Sequence, residues 1–209
     1  MYNKVDGRLM QAGDRFEFGR CPQGPNGEVE PITWRVLHRY SDSLLVIAEY
    51  GLCNKRYNDK FYNESKCITW SNCTLRRWLN NDFMKKVFNA QEQSLIKISN
   101  LTNNAGPSTQ DQVFLLSEDE ARILFTDDDD RVMNLTKYAH KKCGLCGVDG
   151  NGNEALVMWW LRSSAEKGYG GSRFHDRQAM VVHHSGHIVK GGYSTNMILI
   201  VRPAFRLYI

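Results

Sequence analysis

Cys143 and Cys146 are the residues whose spacing most directly suggests chemistry. A Cys-x-x-Cys pair is half of a zinc knuckle, because zinc in a structural site takes four ligands. Cys67, Cys73 and His140 are the other donors to consider, but they form no second tight pair. We therefore expect two loop thiols, in a chain whose cysteines are reduced, and a zinc site is the alternative.

Three histidines, His183, His184 and His187, also invite a metal interpretation. Residues 183–186 are typical of a hairpin turn between two strands, so the rings are expected to project from a loop tip rather than converge. His175 and Asp176 would assist only if their loop folded back. We expect surface contact residues here and no metal cofactor.

The segment that starts at Asp149 resembles the beginning of a calcium loop. Asp149, Asn151 and Asn153 have the spacing of EF-hand ligands, but Glu154 replaces the required glycine and Trp160 replaces the glutamate at the twelfth position. The EF-hand match therefore fails. An irregular calcium loop built on these oxygen donors is the remaining alternative.

Several signatures of enzymes are missing from the sequence. It has no P-loop, no dinucleotide glycine fingerprint, no His-Glu-x-x-His and no Gly-x-Ser-x-Gly. No spacing pairs a nucleophile with a base. We therefore expect a protein that is not an enzyme. The alternative is a metal-dependent enzyme, or a zinc- or calcium-binding protein, that uses Cys143 and Cys146 or the Asp149 loop.

Positive charge is concentrated near the end of the chain. After residue 160 there are seven basic and two acidic side chains, a net charge of +5, so that the first 160 residues carry −1 of the total of +4. Four of the six histidines lie in the same part. This pattern predicts either a solvated basic face or a surface that meets an acidic partner. A nucleic-acid binder is accordingly our third hypothesis, and the one that we favour least.

The composition is that of a folded globular protein. Apolar residues make up 42% and charged residues 24% of the 209 residues. The length suits one domain, residues 1–209, and no apolar run approaches the ~20 residues of a membrane helix. Because the chain as given begins without a signal peptide, we expect no membrane association and a cytoplasmic location, with surface display or phage association left open.

Hydrophobic periodicity predicts strands before and after a helical middle. Alternation or continuous apolar runs indicate strands at 13–19, 32–37, 44–50, 113–116 and in several stretches after 158. Helical spacing marks residues 75–83, and capping boxes at Asn89 and Ser117 mark two further helix starts. Residues 100–111 and 127–130 read as loops. The sequence therefore predicts an α+β fold of short antiparallel strands, two or three short helices and long loops.

Several separate stretches resemble one family. They are residues 32–37, 69–80, 83–92, 113–121 and 138–139, followed by Trp159, Trp160, Leu161, Arg162 and Ser163 and by Val201, Arg202, Pro203, Ala204 and Phe205. Their order resembles an uncharacterised domain family of gut bacteria. That family is related to the formylglycine-generating-enzyme subgroup of C-type lectin folds. The resemblance implies a C-type-lectin-like fold.

The same ending is similar to variable proteins of diversity-generating retroelements, which display a changeable ligand-binding surface on a fixed frame. It implies a binding segment at about 159–209. The frame positions would be Trp159, Trp160, Leu161, Arg162, Ala179, Val181, Gly186, Ile188, Gly191, Val201, Arg202 and Pro203. The displayed, ligand-binding positions would be Tyr169, Ser172, Arg173, Phe174, His175, Asp176, His183, His184, His187, Tyr193, Ser194 and Asn196.

The resemblance implies a binding module whose partner is a protein or another macromolecule. It does not imply catalysis, because formylglycine-generating chemistry needs cysteines in the C-terminal core and none follows Cys146. Trp159, Leu161, Val181, Ile188 and Val201 are expected to pack against the helices. Arg162 and Arg202 are expected to make buried hydrogen bonds that organise the ending.

Overall fold

A computed structural model describes residues 9–59, 67–143, 157–168 and 177–209. In chain order the strands are β1 (Arg15–Pro22), β2 (Val29–Arg39), β3 (Ser43–Ala48), β4 (Cys53–Arg56), β5 (Ile96–Lys97), β6 (Ser99–Leu101), β7 (Thr109–Asp111), β8 (Val113–Phe114), β9 (Trp159–Ser164), β10 (Gln178–Val182), β11 (Ile188–Ser194), β12 (Ile198–Val201) and β13 (Ala204–Tyr208). More of the described residues lie in strands than in helices, and the predicted α+β class is confirmed.

The helices of the described ranges are short. They are α1 (Thr74–Trp78), α2 (Met84–Val87), α3 (Ala90–Leu95), α4 (Glu118–Ile123), α5 (Asp128–Arg131) and α6 (Lys137–Cys143), with a π-helical turn at Leu79–Phe83 between α1 and α2. The prediction of two or three helices was therefore too low. None of these helices is long and apolar enough to cross a lipid bilayer.

Two sheets carry the fold. The first has the order β1-β2-β3-β13-β5, with β8 also pairing with β13, and all of its pairs are antiparallel. The second has the order β11-β10-β9-β12-β4, in which β12 pairs with β9 in parallel. A small hairpin joins β6 and β7. The last two strands of the chain belong to different sheets, so the C-terminal segment links the sheets to each other.

Both capping boxes form as the sequence predicts. The side chain of Asn89 accepts a hydrogen bond from the Glu92 N–H at 2.9 Å, and the Glu92 carboxylate accepts from the Asn89 N–H at 2.8 Å. Ser117 and Glu120 make the same reciprocal pair at the start of α4. Each box satisfies main-chain donors that a helix start would otherwise leave unpaired.

Two predicted loops contain regular structure. Residues 100–111 include most of the β6–β7 hairpin, and residues 127–130 enter α5. In α5 the Asp127 side chain accepts from the Asp130 N–H at 2.8 Å, so that the acidic run caps a helix rather than only facing solvent. Aspartate is favoured there because the first turn of a helix presents unpaired N–H groups. The loop prediction for 127–130 was therefore wrong.

One hydrophobic core includes residues of both sheets and of the helices. Trp34 and Phe205 meet edge to face in the first sheet, with ring centroids 4.5 Å apart. Tyr57, which directly follows β4, and Trp160 of β9 also meet edge to face, with ring centroids 5.4 Å apart. The packing of these large rings holds in place the strands that lead to the β10–β11 hairpin.

Candidate binding surface

The frame of the candidate surface is the centre of the second sheet. Trp159 and Trp160 in β9 are buried, as are Val181 in β10 and Val201 in β12. The Trp160 indole N–H donates to the Lys55 carbonyl at 3.0 Å, which ties β9 to the edge strand β4. The expected burial is confirmed for Trp159, Leu161, Val181 and Val201, whereas Ile188 is only partly buried.

Arg162 connects β9 to the helical half of the molecule. Its guanidinium forms an ion pair with Glu120 and donates to the Leu115 carbonyl at 3.1 Å. Glu120 is also the third residue of α4 and closes its capping box. One carboxylate therefore binds both the helix start and the buried arginine, and the expected buried hydrogen bonds of Arg162 are confirmed.

Arg202 likewise connects separate parts of the fold through buried hydrogen bonds, here between the two sheets. It is 2% exposed and donates to the carbonyls of Ala48 at 2.9 Å and of Glu49 and Arg131 at 3.4 Å. Its guanidinium lies over the Trp159 ring, 5.2 Å from the centroid. Burial lowers the pKa of Arg202 to about 9, which still leaves the group protonated at neutral pH. Its expected buried hydrogen bonds are confirmed.

The turn of residues 183–187 joins β10 to β11 as the sequence predicts. The His183 N–H donates to the His187 carbonyl at 2.9 Å, and the Gly186 N–H donates to the His183 carbonyl at 2.8 Å. Gly186 has φ = +83°, which favours glycine over any residue with a Cβ. The main chain of this turn is therefore internally bonded.

The same turn is seated on α5. The Arg131 Nε donates to the Gly186 carbonyl at 2.9 Å, and Arg131 also forms an ion pair with Asp128. A Cβ at Gly186 would lie 1.7 Å from the Asp128 carbonyl oxygen, so the two main chains are in close contact. The acidic helix α5, which the sequence predicted to be a loop, thus supports the histidine turn.

The three histidine rings of the turn come together, so the expectation that they would not converge was wrong. The ring centroids of His183 and His184 are 3.9 Å apart, and those of His183 and His187 are 4.5 Å apart. The Ser185 hydroxyl lies 3.0 Å from Nδ1 of His183 and 2.8 Å from Nδ1 of His187. Burial, followed by the charges of the other two rings, lowers the pKa of His183 below 6.5.

This cluster presents ring faces and ring nitrogens at the surface of the protein. His184 and His187 are exposed, and His183 is partly exposed. Among the described residues, no group of three or more His, Cys, Asp or Glu side chains is arranged to hold a metal ion. One serine hydroxyl lies within hydrogen-bond distance of two of the rings.

The remaining described candidates lie at the other end of the hairpin. Tyr193 pairs with Ala179 and packs partly against the core, while Asn196 is exposed in the turn before β12. Ser194 closes that turn by accepting from the Met197 N–H. The seven residues of β11 span roughly 20 Å, so the two groups of candidates stand at opposite ends of one strand. The exposed Met197 beside Asn196 was not anticipated.

Several predicted residues fall outside the described ranges. They are the displayed positions Tyr169, Ser172, Arg173, Phe174, His175 and Asp176, together with Cys146, Asp149, Asn151, Asn153 and Glu154. Cys143 ends α6, but its side chain is also outside the description. The zinc and calcium alternatives therefore remain predictions.

The C-terminal basic residues do not all contribute to one surface. Arg162 and Arg202 are buried, and Lys190 forms ion pairs with Glu166 at 3.0 Å and with Glu118 at 3.7 Å. Part of the excess positive charge after residue 160 therefore belongs to side chains that are buried or paired within the fold. Charge counting along the sequence could not distinguish such residues from a solvated face.

Two cysteines to which the sequence gave no role lie at strand ends. Cys21 is at the end of β1 and Cys53 is at the start of β4, in different sheets. Burial raises the pKa of Cys21 to about 12, and the negative charge of a Cys53 thiolate acts in the same direction.

Comparison with known proteins gives a family but no described activity. No curated protein matches the chain, and no solved structure matches it. The model of DUF6273, a domain of unknown function, matches residues 41–209, from just before β3 to the end of β13. This match covers about four fifths of the chain. The protein is therefore a member of the DUF6273 family.

Proposed function

We propose that this protein is a non-enzymatic binding module that displays a changeable surface on a C-type-lectin-like frame. The surface would comprise the β10–β11 hairpin, the turn after it and the predicted positions at 169–176. The ligand would be a protein or another macromolecule. The variable proteins of diversity-generating retroelements are the proposed functional class.

The observation that carries this proposal is a division by burial within the C-terminal segment. Ten of the twelve expected frame positions are buried, and Ile188 and Gly191 are partly buried. None of the six described display positions is buried: His184, His187 and Asn196 are exposed, and His183, Tyr193 and Ser194 are partly exposed. A surface that changes its side chains without unfolding requires this division, because the core does not depend on exposed positions.

The turn at 183–187 also has the order that a binding surface needs. Its main chain is held by its own hydrogen bonds and by Arg131, while two of its three histidines face solvent. A loop that is ordered before binding loses less conformational entropy when its partner arrives. Histidine and serine then supply stacking and adaptable hydrogen bonds.

The gene neighbourhood tests the class directly. We expect a near-copy of the codons for residues 165–200, differing almost only at adenines, beside a reverse transcriptase gene. A near-copy with differences spread over all four bases, or a neighbourhood that has no copy, would contradict diversification. The protein would then be a fixed binder or a structural module.

A surface-display library tests binding separately. The six described display positions are randomised together, and the library is selected against a panel of purified proteins. The matched control randomises Arg20, Lys85 and Lys86, which are exposed elsewhere. We expect binders from the first library whose affinity is lost when the 183–187 turn is restored. Equal yields from the two libraries would count against a dedicated surface.

A further inference from the structure

The helix α5 contacts the first sheet as well as the turn of residues 183–187. Its contact with the sheet is Arg35 in β2, whose side chain is only 13% exposed. The Arg35 Nη1 donates to Oδ1 of Asp130 at 2.7 Å, and its Nη2 donates to the Asp130 carbonyl at 3.4 Å. One arginine of the first sheet therefore binds both the side chain and the main chain of a residue in α5.

Two neighbours orient the Arg35 guanidinium for this contact. It lies over the Phe125 ring, 4.8 Å from the centroid. Its Nε lies 4.0 Å from Oε2 of Glu49, which directly follows β3. Because a guanidinium is planar, stacking on one face and a carboxylate at one edge fix the direction of its other N–H groups. The donors that bind Asp130 are thus held in position by the first sheet and by Phe125.

Asp130 connects this ion pair to the main chain of α5. Its Oδ2 accepts from the Thr126 N–H at 3.1 Å, and its own N–H donates to the Asp127 side chain at 2.8 Å. Burial acts to raise the pKa of Asp130, but the hydrogen bonds from the Thr126 N–H and from Arg35 outweigh burial and lower it. The carboxylate is therefore ionised at neutral pH and can hold both donors.

The next residue, Arg131, makes the contact with the turn. Its Nε donates to the Gly186 carbonyl at 2.9 Å, and its Nη1 donates to the Ala121 carbonyl at 3.2 Å. Its own carbonyl accepts from the Trp159 indole N–H at 3.3 Å. A helix of four residues has too few internal hydrogen bonds to hold its own position. The position of Arg131 therefore depends on the contacts of α5 with its surroundings, including Arg35.

We propose that Arg35, through its ion pair with Asp130, is a positioning residue for the turn of residues 183–187. The connection runs from the first sheet through the adjacent residues Asp130 and Arg131 to the Gly186 carbonyl. None of the described display positions belongs to the first sheet. The inference rests on the proposed function only in treating this turn as part of a binding surface, since the connection is a property of the unliganded chain.

Hydrogen exchange of the unliganded protein gives the first test. The N–H groups of His183 and Gly186 are bonded within the turn and report whether it stays closed. In Arg35→Met their exchange should be about tenfold faster, as expected for the loss of one hydrogen bond to a charged group. Exchange of the Arg162 N–H, which bonds to the Leu116 carbonyl, should change much less. Unchanged exchange in the turn, or equal acceleration at Arg162, would overturn the proposal.

Arg15→Met is the matched control for this variant. Arg15 pairs with Arg35 across β1 and β2 and binds the same glutamate, Glu49, at 2.9 Å, but its side chain is 54% exposed. Because its bonds are to Glu49 rather than to α5, exchange in the turn should stay as it is in the unmodified chain. Equal acceleration in the two variants would contradict a specific role for the contact between Arg35 and Asp130.

The His183 ring gives a readout that a general loss of stability would not change. Burial and the other two rings of the turn lower its pKa below 6.5. If the turn moves away from α5, the pKa of His183 should rise toward 6.5 in Arg35→Met and stay lowered in Arg15→Met. Titration followed by NMR measures both. A His183 pKa that stays as low in Arg35→Met as in the unmodified chain would overturn the proposal.

Asp130→Asn removes the same ion pair from the side of α5, and it decides the question if Arg35→Met does not fold. Asparagine keeps the shape of the side chain and the N–H that bonds to Asp127, but it carries no charge. It should accelerate exchange at His183 and Gly186 as Arg35→Met does, and an unchanged turn would overturn the proposal. A turn that responds in this way, in a protein whose library yields no binders, would refute the proposed function and leave the positioning role in place.

Discussion

The centre of the second sheet and the turn at 183–187 use hydrogen bonds in opposite ways. In the sheet, the buried side chains of Arg162 and Arg202 bind main-chain carbonyls, so the fold depends on which side chain is present. In the turn, the main chain is bonded, and the histidine side chains face one another and the solvent. In the first region the structure depends on the identity of the buried side chains. In the second region it depends on the hydrogen bonds of the backbone.

The largest effect should come from the frame. Trp160→Ala should lower the free energy of unfolding by ~3–5 kcal/mol, because it empties a fully buried site beside Tyr57. Chemical denaturation measures the loss. Trp160→Phe, which keeps most of the ring volume but loses the bond to Lys55, should cost less. A soluble Trp160→Ala protein of unchanged stability would show that the assigned faces are reversed.

Arg202→Met should be the next most damaging change, at about 3 kcal/mol. Methionine retains the apolar stem, but the carbonyls of Ala48 and Glu49 lose their buried donor. The control is Arg206→Met, since Arg206 is only partly buried and lies against Tyr40. Equal losses in the two variants, measured by denaturant titration, would mean that the buried contacts of Arg202 contribute nothing special.

Gly186→Ala tests whether the backbone path of the turn is fixed. We expect a loss of about 2–3 kcal/mol, since the new Cβ combines a positive φ with a clash against the Asp128 carbonyl. Gly13→Ala is the matched control, because Gly13 has φ = +93° but no atom within 4 Å of an added Cβ. If the two variants lose the same amount, the contact between the turn and α5 is not rigid.

The histidine cluster should make stability weakly dependent on pH. The pKa of His183 is lowered from 6.5, so below about pH 6.5 the unfolded chain binds protons that the folded chain does not. Unfolding free energy should therefore fall on acidification from roughly pH 7 to pH 5.5. This part of the decrease should disappear in His183→Ala. An identical pH profile for the two proteins would exclude the coupling.

The smallest effect is expected for the exposed display positions. The triple variant His184→Ala, His187→Ala, Asn196→Ala should change stability by no more than ~0.5 kcal/mol per site. Thermal unfolding followed by circular dichroism provides the measurement. Loss of folding would place these residues with the frame and would remove the main support for a display surface.

Local rules were sufficient for much of the fold. The capping boxes at Asn89 and Ser117, the alternation in β2 and the turn at 183–186 depend on residues only a few positions apart. The burial of Arg162 and Arg202 also followed from their apolar neighbours, because an arginine inside an apolar run needs internal acceptors. Such features are determined by residues that are close to one another in the sequence.

Other features depend on distant parts of the chain. Nothing within residues 127–131 indicates that α5 supports a turn more than 50 residues later through Arg131. The start of α6 likewise donates hydrogen bonds to the carbonyls of Gln23 and Gly51, which are far from it in the sequence. Tyr193, one of the expected ligand-binding positions, packs partly against the core and lies beside an irregularity in the β10–β11 pairing between Ala179 and Val181.

The seat of the turn on α5 uses the Gly186 carbonyl and the Asp128 main chain. The turn therefore makes this contact through its main chain and without any of its side chains. Under the proposed function, substitutions at positions 183, 184 and 187 would leave this contact with α5 in place. Heritable variation and foldability would then depend on different atoms of the same five residues.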